Sequence, residues 1–154
     1  METYTTKQIP VQLKRLPHGQ DIDLPVYQSA DAAGADLHAA VTEDTTIPPG
    51  QIAFIPCGIA IAIPQGYEVQ IRPRSGLAAK HGITLPNTPG TIDADYRGEI
   101  MVPLINHSQS DFTVTRNMRV AQMLIKPIYH IQWEEVNELS DTVRGQGGFG
   151  HTGH

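Results

Sequence analysis

Cysteine is almost absent from this chain: Cys57 is the only one in 154 residues. No internal disulfide can form, and such a composition suits a reducing compartment. Cys57 precedes Gly58 in an apolar run, so it reads as a small buried hydrophobe rather than a nucleophile. Long apolar stretches are missing too, and no segment reads as a membrane span. The opening METYTTKQIP has neither a basic n-region nor an apolar h-region, so the expectation is a cytoplasmic chain without a secretory leader. Positive charge is scarce. Eleven Lys and Arg stand against sixteen Asp and Glu, a net charge of −5, which excludes the broad basic face of a general nucleic-acid binder. Room remains for a small anionic ligand held by a few well-placed cations. Seven of the eleven are Arg, the side chain suited to planar, bidentate phosphate contacts.

Glycine and proline, by contrast, are plentiful at 14 and 12, and they cut the chain into short pieces. IPVQLKRL, YEVQIRP and DFTVT alternate apolar and polar residues. QIAFIP and GIAIAIP are short apolar runs, and EIMVPLIN and VAQMLIKPIY are rich in branched aliphatics. Many short strands between turn signals predict an all-β sandwich or barrel in one domain. Only SGLAAKHGI reads as helix, with Ser75 as N-cap and Gly82 as stop. Pro56, Pro64, Pro103 and Pro127 predict edges, bulges or bends.

Five segments carry chemistry. In RPRSGLAAKHG a strand ends and Arg74, Ser75 and Gly76 open the short helix, either as an anion site or as a plain cap beside a surface Arg. In GTIDADYRGEI a hairpin places Asp93 and Asp95 two apart, on one face if the strand is regular, with Tyr96 beside them. That pair could bind a metal, hold a water as general base, or decorate a turn. AGADLHAA supplies Asp36. RVAQMLI supplies Arg119 and Gln122, which face opposite sides of a regular strand and form one patch only if it bulges. RGQGGFGHTGH is rich in glycine, costly to order, and yet contains Arg144, Phe149 and Thr152. Its Gly145, Gly147 and Gly150 spell G-x-G-x-x-G, but no helix follows, so a dinucleotide site is excluded. His18, His38, His81, His107 and His130 are scattered and read as structural or solvent-facing. His151 and His154 are too few for a metal site.

Taken in order, AGADLHA, RPRSGLA, NTPGTIDADYRGEI, RVAQMLI and RGQGGFGHTG resemble the five motifs of the trimeric dUTP pyrophosphatase family, from about Ala33 onward. The resemblance implies a distorted antiparallel β-barrel of jelly-roll type, assembled as a threefold homotrimer with active sites shared between chains. It implies hydrolysis of dUTP to dUMP and pyrophosphate, with no nucleic-acid or membrane partner. On the matching positions, Asp93 would orient and deprotonate the attacking water. Asn87 and the hairpin from Gly90 through Ile92 to Met101 would read the uracil edge, and Tyr96 would lie against the deoxyribose. Arg74, Ser75, Gly76 and Gln122 would hold phosphates. Mg²⁺ would be bound by phosphate oxygens and waters, with Asp36 in its outer shell through water. Residues 1–140 would form the barrel and 141–154 a mobile flap, whose Arg144 grips the γ-phosphate, Phe149 stacks on uracil and Thr152 contacts phosphate. The family's flap has Ser where this chain has His151, so that contact is either replaced by an imidazole or lost.

Two other readings share parts of this pattern. A dCTP deaminase has the same fold and assembly but needs an acid–base group at the base edge. A non-enzymatic jelly-roll module would bind a nucleotide without needing a carboxylate at position 93.

Overall fold

A computed structural model describes residues 5–153. Its strands are β1 (Gln12–Arg15), β2 (Ala35–His38), β3 (Thr45–Ile47), β4 (Ile52–Ala62), β5 (Tyr67–Arg72), β6 (Ile83–Thr84), β7 (Gly90–Ile92), β8 (Glu99–Asn106), β9 (Phe112–Val114) and β10 (Arg119–Pro127). Helix α1 spans Ser75–His81 and a 3-10 turn spans Pro17–Gly19. One sheet runs β1-β4-β8-β6, a second β2-β10-β5-β7, and β3 pairs with β9 in a ribbon. All the pairings are antiparallel. Among the described residues no helix is long and apolar enough to cross a membrane.

Alternation decides what each strand buries. Along β8, Ile100, Val102, Leu104 and Asn106 point inward while Met101 lies exposed. Val69 and Ile71 of β5, Leu37 of β2, Ile47 of β3 and Val114 of β9 meet them in one core shared by all three sheets. Each such side chain contributes roughly 1.5–3 kcal/mol of transfer free energy. Asn106 is the polar exception. Its amide donates to Ile47 O (2.8 Å) and Ser110 O (2.7 Å), and its carbonyl accepts from Ser108 N (2.9 Å) and Oγ (2.7 Å). It therefore ties the end of β8 to β3 and the following turn with no unmet bond of its own.

The two apolar runs QIAFIP and GIAIAIP form one strand, β4, rather than two. The register against β8 slips between Pro56 and Ala60, and Gly58 absorbs the slip at φ +70°. Here the 3-10 turn crosses β4 at backbone distance. A Cβ on Gly19 would strike Gly58 O and stand 2.7 Å from Gly58 Cα. Pro103 sits in β8 where β6, paired only with Ile105 and Asn106, no longer flanks it, so no ladder bond is sacrificed. The helix starts one residue earlier than its sequence suggests: Arg74 occupies the cap position without a side-chain bond, and Ser75 is already helical. Gly82 closes it in the left-handed region, as expected.

Candidate active site

The hairpin β7–β8 builds a pocket of about 170 Å³. Asn87, Gly90, Ile92, Tyr96 and Met101 all line it, so five of the expected substrate contacts converge. Ile71, Leu85, Ile100 and Pro103 supply apolar walls, and Thr91 and Glu99 complete it. Thr91, Glu99 and Ile100 lie within the hairpin span expected to read the base, whereas sequence reasoning passed over Ile71, Leu85 and Pro103 as site residues. Alternation alone gives no signal that Ile71 and Leu85, from other strands and loops, would close the same space.

Asp93 and Asp95 do not share a strand face. β7 ends at Ile92, and Asp93–Tyr96 is a turn closed by Tyr96 N–H donating to Asp93 O at 3.1 Å. Asp93 is exposed and lines a second, wider concavity of about 590 Å³ with Asp95, Glu68, Arg97 and His130. The carboxylate thus stands one residue beyond the hairpin pocket's wall without lining that pocket.

A third group gathers where β2, β5 and β10 end beside α1. Asp36 lies 8% exposed between two guanidiniums, Arg74 Nε at 3.4 Å and Arg119 Nη1 at 3.3 Å. Arg74 also donates to Arg119 O at 3.2 Å, and Gln122 donates to Pro73 O at 3.1 Å. Arg119 and Gln122 share this patch because β10 bulges between Arg119 and Ala121. Val120 and Ala121 are both buried, which leaves both polar side chains outside. Ser75 is exposed, and nothing lies within 4 Å of where a Cβ of Gly76 would stand, so neither packing nor backbone strain demands that glycine. Beside the cluster, His38 is buried with Nδ1 unpartnered, and burial pushes its pKa down.

Beyond Ile128 and His130, which line the concavity with Asp93, the C-terminal segment joins none of these groups among the described residues. Ile128 N–H still donates to Gly66 O at 3.0 Å, but no strand or helix follows among the described residues. Arg144 donates to Gly147 O at 2.7 Å, Phe149 is fully exposed, and Thr152 is exposed. His154 lies outside the described residues. Among the described residues no group of three or more His, Cys, Asp or Glu could cage a metal.

The hairpin pocket, the guanidinium cluster and the glycine-rich tail as far as Gly153 fall within residues 20–153, and a protein-family model described as dUTPase matches that span. The chain belongs to the dUTPase family. It is similar to the deoxyuridine 5'-triphosphate nucleotidohydrolase of Maricaulis maris (strain MCS10), 56% identical over 147 residues, 94% of this chain and 97% of the relative. The enzyme of that name from Rhizobium rhizogenes (strain K84 / ATCC BAA-868) is 51% identical, with 99% of each chain covered. Among solved structures, the Staphylococcus bacteriophage 80alpha dUTPase with dUPNHPP superposes with a TM-score of 0.83 at 25% identity, covering 94% of this chain and 99% of that one. A dUTPase from phage phi11 of S. aureus, described with a structural Mg(II) ion, gives 0.75 at 22% identity over 86% and 99%.

Proposed function

We propose that this chain hydrolyses dUTP to dUMP and pyrophosphate as a threefold homotrimer in the cytoplasm, keeping uracil out of DNA and supplying dUMP for thymidylate synthesis. The observation that carries the reading is the hairpin pocket, where Asn87, Gly90, Ile92, Tyr96 and Met101 converge. Backbone groups of the hairpin and the Asn87 amide read the uracil edge. Cytosine would set a donor against a donor there and leave both unpaired. Tyr96 packs on the deoxyribose and leaves no room for a 2′-hydroxyl. Arg74, Ser75, Gly76 and Gln122 hold the phosphate chain. Asp93 takes a proton from water as the water oxygen bonds to the α-phosphorus. The bond from that phosphorus to the bridging oxygen breaks, and pyrophosphate leaves with the electron pair.

Mg²⁺ fits the residues present only if substrate oxygens and waters hold most of it, since Asp36 is a lone carboxylate already paired to two guanidiniums. When bound it would neutralise phosphate charge, with Asp36 reached through water. Closure of residues 141–154 as a flap brings Arg144 to the γ-phosphate, Thr152 to phosphate and Phe149 onto the base, and expels water.

Assembly between copies is supported by the separation of these groups: the pocket that holds Tyr96 contains none of Arg74, Ser75 or Gln122. It is also supported by the extension after β10, which exposes Tyr129, Ile131, Trp133 (84%) and Leu139 (86%). Apolar area of that kind is what a second copy buries. The deciding experiment is a panel of dUTP, dCTP, dTTP and UTP with Mg²⁺, following pyrophosphate and ammonia. Pyrophosphate from dUTP alone is expected. Ammonia from dCTP, or no turnover at all, would refute the reading.

A further inference from the structure

His18 lies in the 3-10 turn, outside the family match that begins at residue 20. Its Nε2–H donates to the Glu99 carboxylate, 2.7 Å from Oε1 and 2.8 Å from Oε2. Gly58 N–H donates to the same group at 3.3 Å. Glu99 opens β8 and lines the base pocket. Its backbone carbonyl in turn accepts the Tyr96 hydroxyl at 2.9 Å. Gly98, between them, lies so close under the phenol that a Cβ would strike the hydroxyl oxygen and stand 2.7 Å from Cζ. The imidazole is therefore two hydrogen bonds from the aromatic wall of the pocket, linked through one residue.

The backbone under His18 is fixed from several directions. Leu16 N–H donates to Gly58 O at 2.8 Å. Arg15 donates to Gly19 O at 3.0 Å and to Ile22 O, while Arg116 donates to the carbonyl of His18 itself at 2.7 Å and pairs with Asp21. A ring delivered from so constrained a turn has little freedom left to lose when it binds the carboxylate. Glu99 is pinned through its carboxylate by His18 and Gly58 N–H, and with it the carbonyl that sets the Tyr96 ring.

The geometry points to His18 as a positioning residue for sugar discrimination, acting through Glu99 on Tyr96. This rests on the reading of Tyr96 as the wall against the deoxyribose. Cutting the link lets the start of β8 relax, and the ring no longer holds the line against a 2′-hydroxyl.

The test is kcat and KM for dUTP and UTP in wild type, His18→Ala, His18→Gln, Glu99→Ala and the His18→Ala/Glu99→Ala double variant. His18→Ala should raise the UTP-to-dUTP ratio of kcat/KM roughly tenfold, the size of one hydrogen bond of ordinary strength. The rise should come mainly from a lower KM for UTP, with kcat for dUTP little changed. His18→Gln, whose amide can donate to the same carboxylate, should return most of the discrimination. The double variant should match the single ones, since all break one chain. A folded His18→Ala with an unchanged ratio overturns the proposal, as do equal losses on both substrates or a double effect equal to the product of the singles. Should His18→Ala fail to fold, Glu99→Ala cuts the link from the other side, and its ratio decides. A wild type that fails to prefer dUTP over UTP sinks the Tyr96 reading and this proposal with it, whereas a discriminating wild type beside an unchanged His18→Ala sinks only this one.

Discussion

Deleting residues 144–154 should leave a folded protein that binds dUTP and turns it over very slowly. Among the described residues, the hydrogen bonds of 144–153 stay within the segment or reach back only to Thr142. Phe149 is fully exposed, so no core is lost either. The stability change should stay within about 0.5 kcal/mol, as for surface substitutions, which is about 1–2 °C in Tm for a domain of this size. Catalysis is another matter. Closure would add one aromatic stack, about 0.5–1.5 kcal/mol, and one charge-assisted hydrogen bond from Arg144, about 1.5–3 kcal/mol. Together these make roughly 2–4.5 kcal/mol, or about 30- to 2,000-fold in rate at 1.36 kcal/mol per decade. Contacts made mainly as the transition state is approached appear in kcat rather than KM. The assay is pyrophosphate release across a dUTP titration, beside a melting curve. A truncated protein with full kcat would show that the tail is a solvated spacer. One that melts far lower would show that the tail packs on the barrel, and the separation of stability from catalysis would be wrong.

Asp93→Asn should keep affinity for a non-hydrolysable dUTP analogue and lose about 10²- to 10⁴-fold in turnover, the usual worth of a general base; near-normal kcat would remove Asp93 from the chemistry. Asn106→Ala should be among the most destabilising single changes, roughly 3–5 kcal/mol, because it strands the buried Ile47 carbonyl, breaks the bonds to Ser108 and Ser110 and leaves a void; chemical denaturation reads this, and a loss under about 1 kcal/mol would refute it. Burial, with the Glu99 charge second, pushes the Cys57 thiol up from 9.0 to about 12. Alkylation of the folded protein at pH 8 should therefore run about a thousandfold slower than that of the unfolded chain, even before access is counted; equal rates would place Cys57 at the surface.

The strands were legible where period two survives, as in β5, and where branched aliphatics cluster, as in β8 and β10. Turn chemistry marked their ends, and the end of α1 was legible at Gly82. β4 was read as two pieces because Pro56 and Gly58 look like punctuation, while the structure uses them to carry a bulge inside one strand. The separate faces expected for Arg119 and Gln122 failed for the same reason, since a bulge is a relation between two strands and only one was being read. Asp93 and Asp95 were judged by strand periodicity when the tight turn to Tyr96 had already ended the strand. His18 was passed over as a scattered histidine. Its partner stands 81 positions away, and no local spacing reports a pair of that kind.

The crossing of Gly19 over Gly58 constrains how the sequence can drift. A methyl group at 19 meets the backbone of 58, and one at 58 meets both Gly19 Cα at 2.6 Å and the Ala40 side chain at 2.9 Å, on a backbone already turned to φ +70°. Neither position can change first, and no change at the other makes room. In a saturation library both should appear as empty columns for every residue but glycine, although neither touches substrate. A revertant of Gly19→Ala would have to rebuild the path of the turn itself rather than exchange a side chain, so true reversion should outnumber suppression.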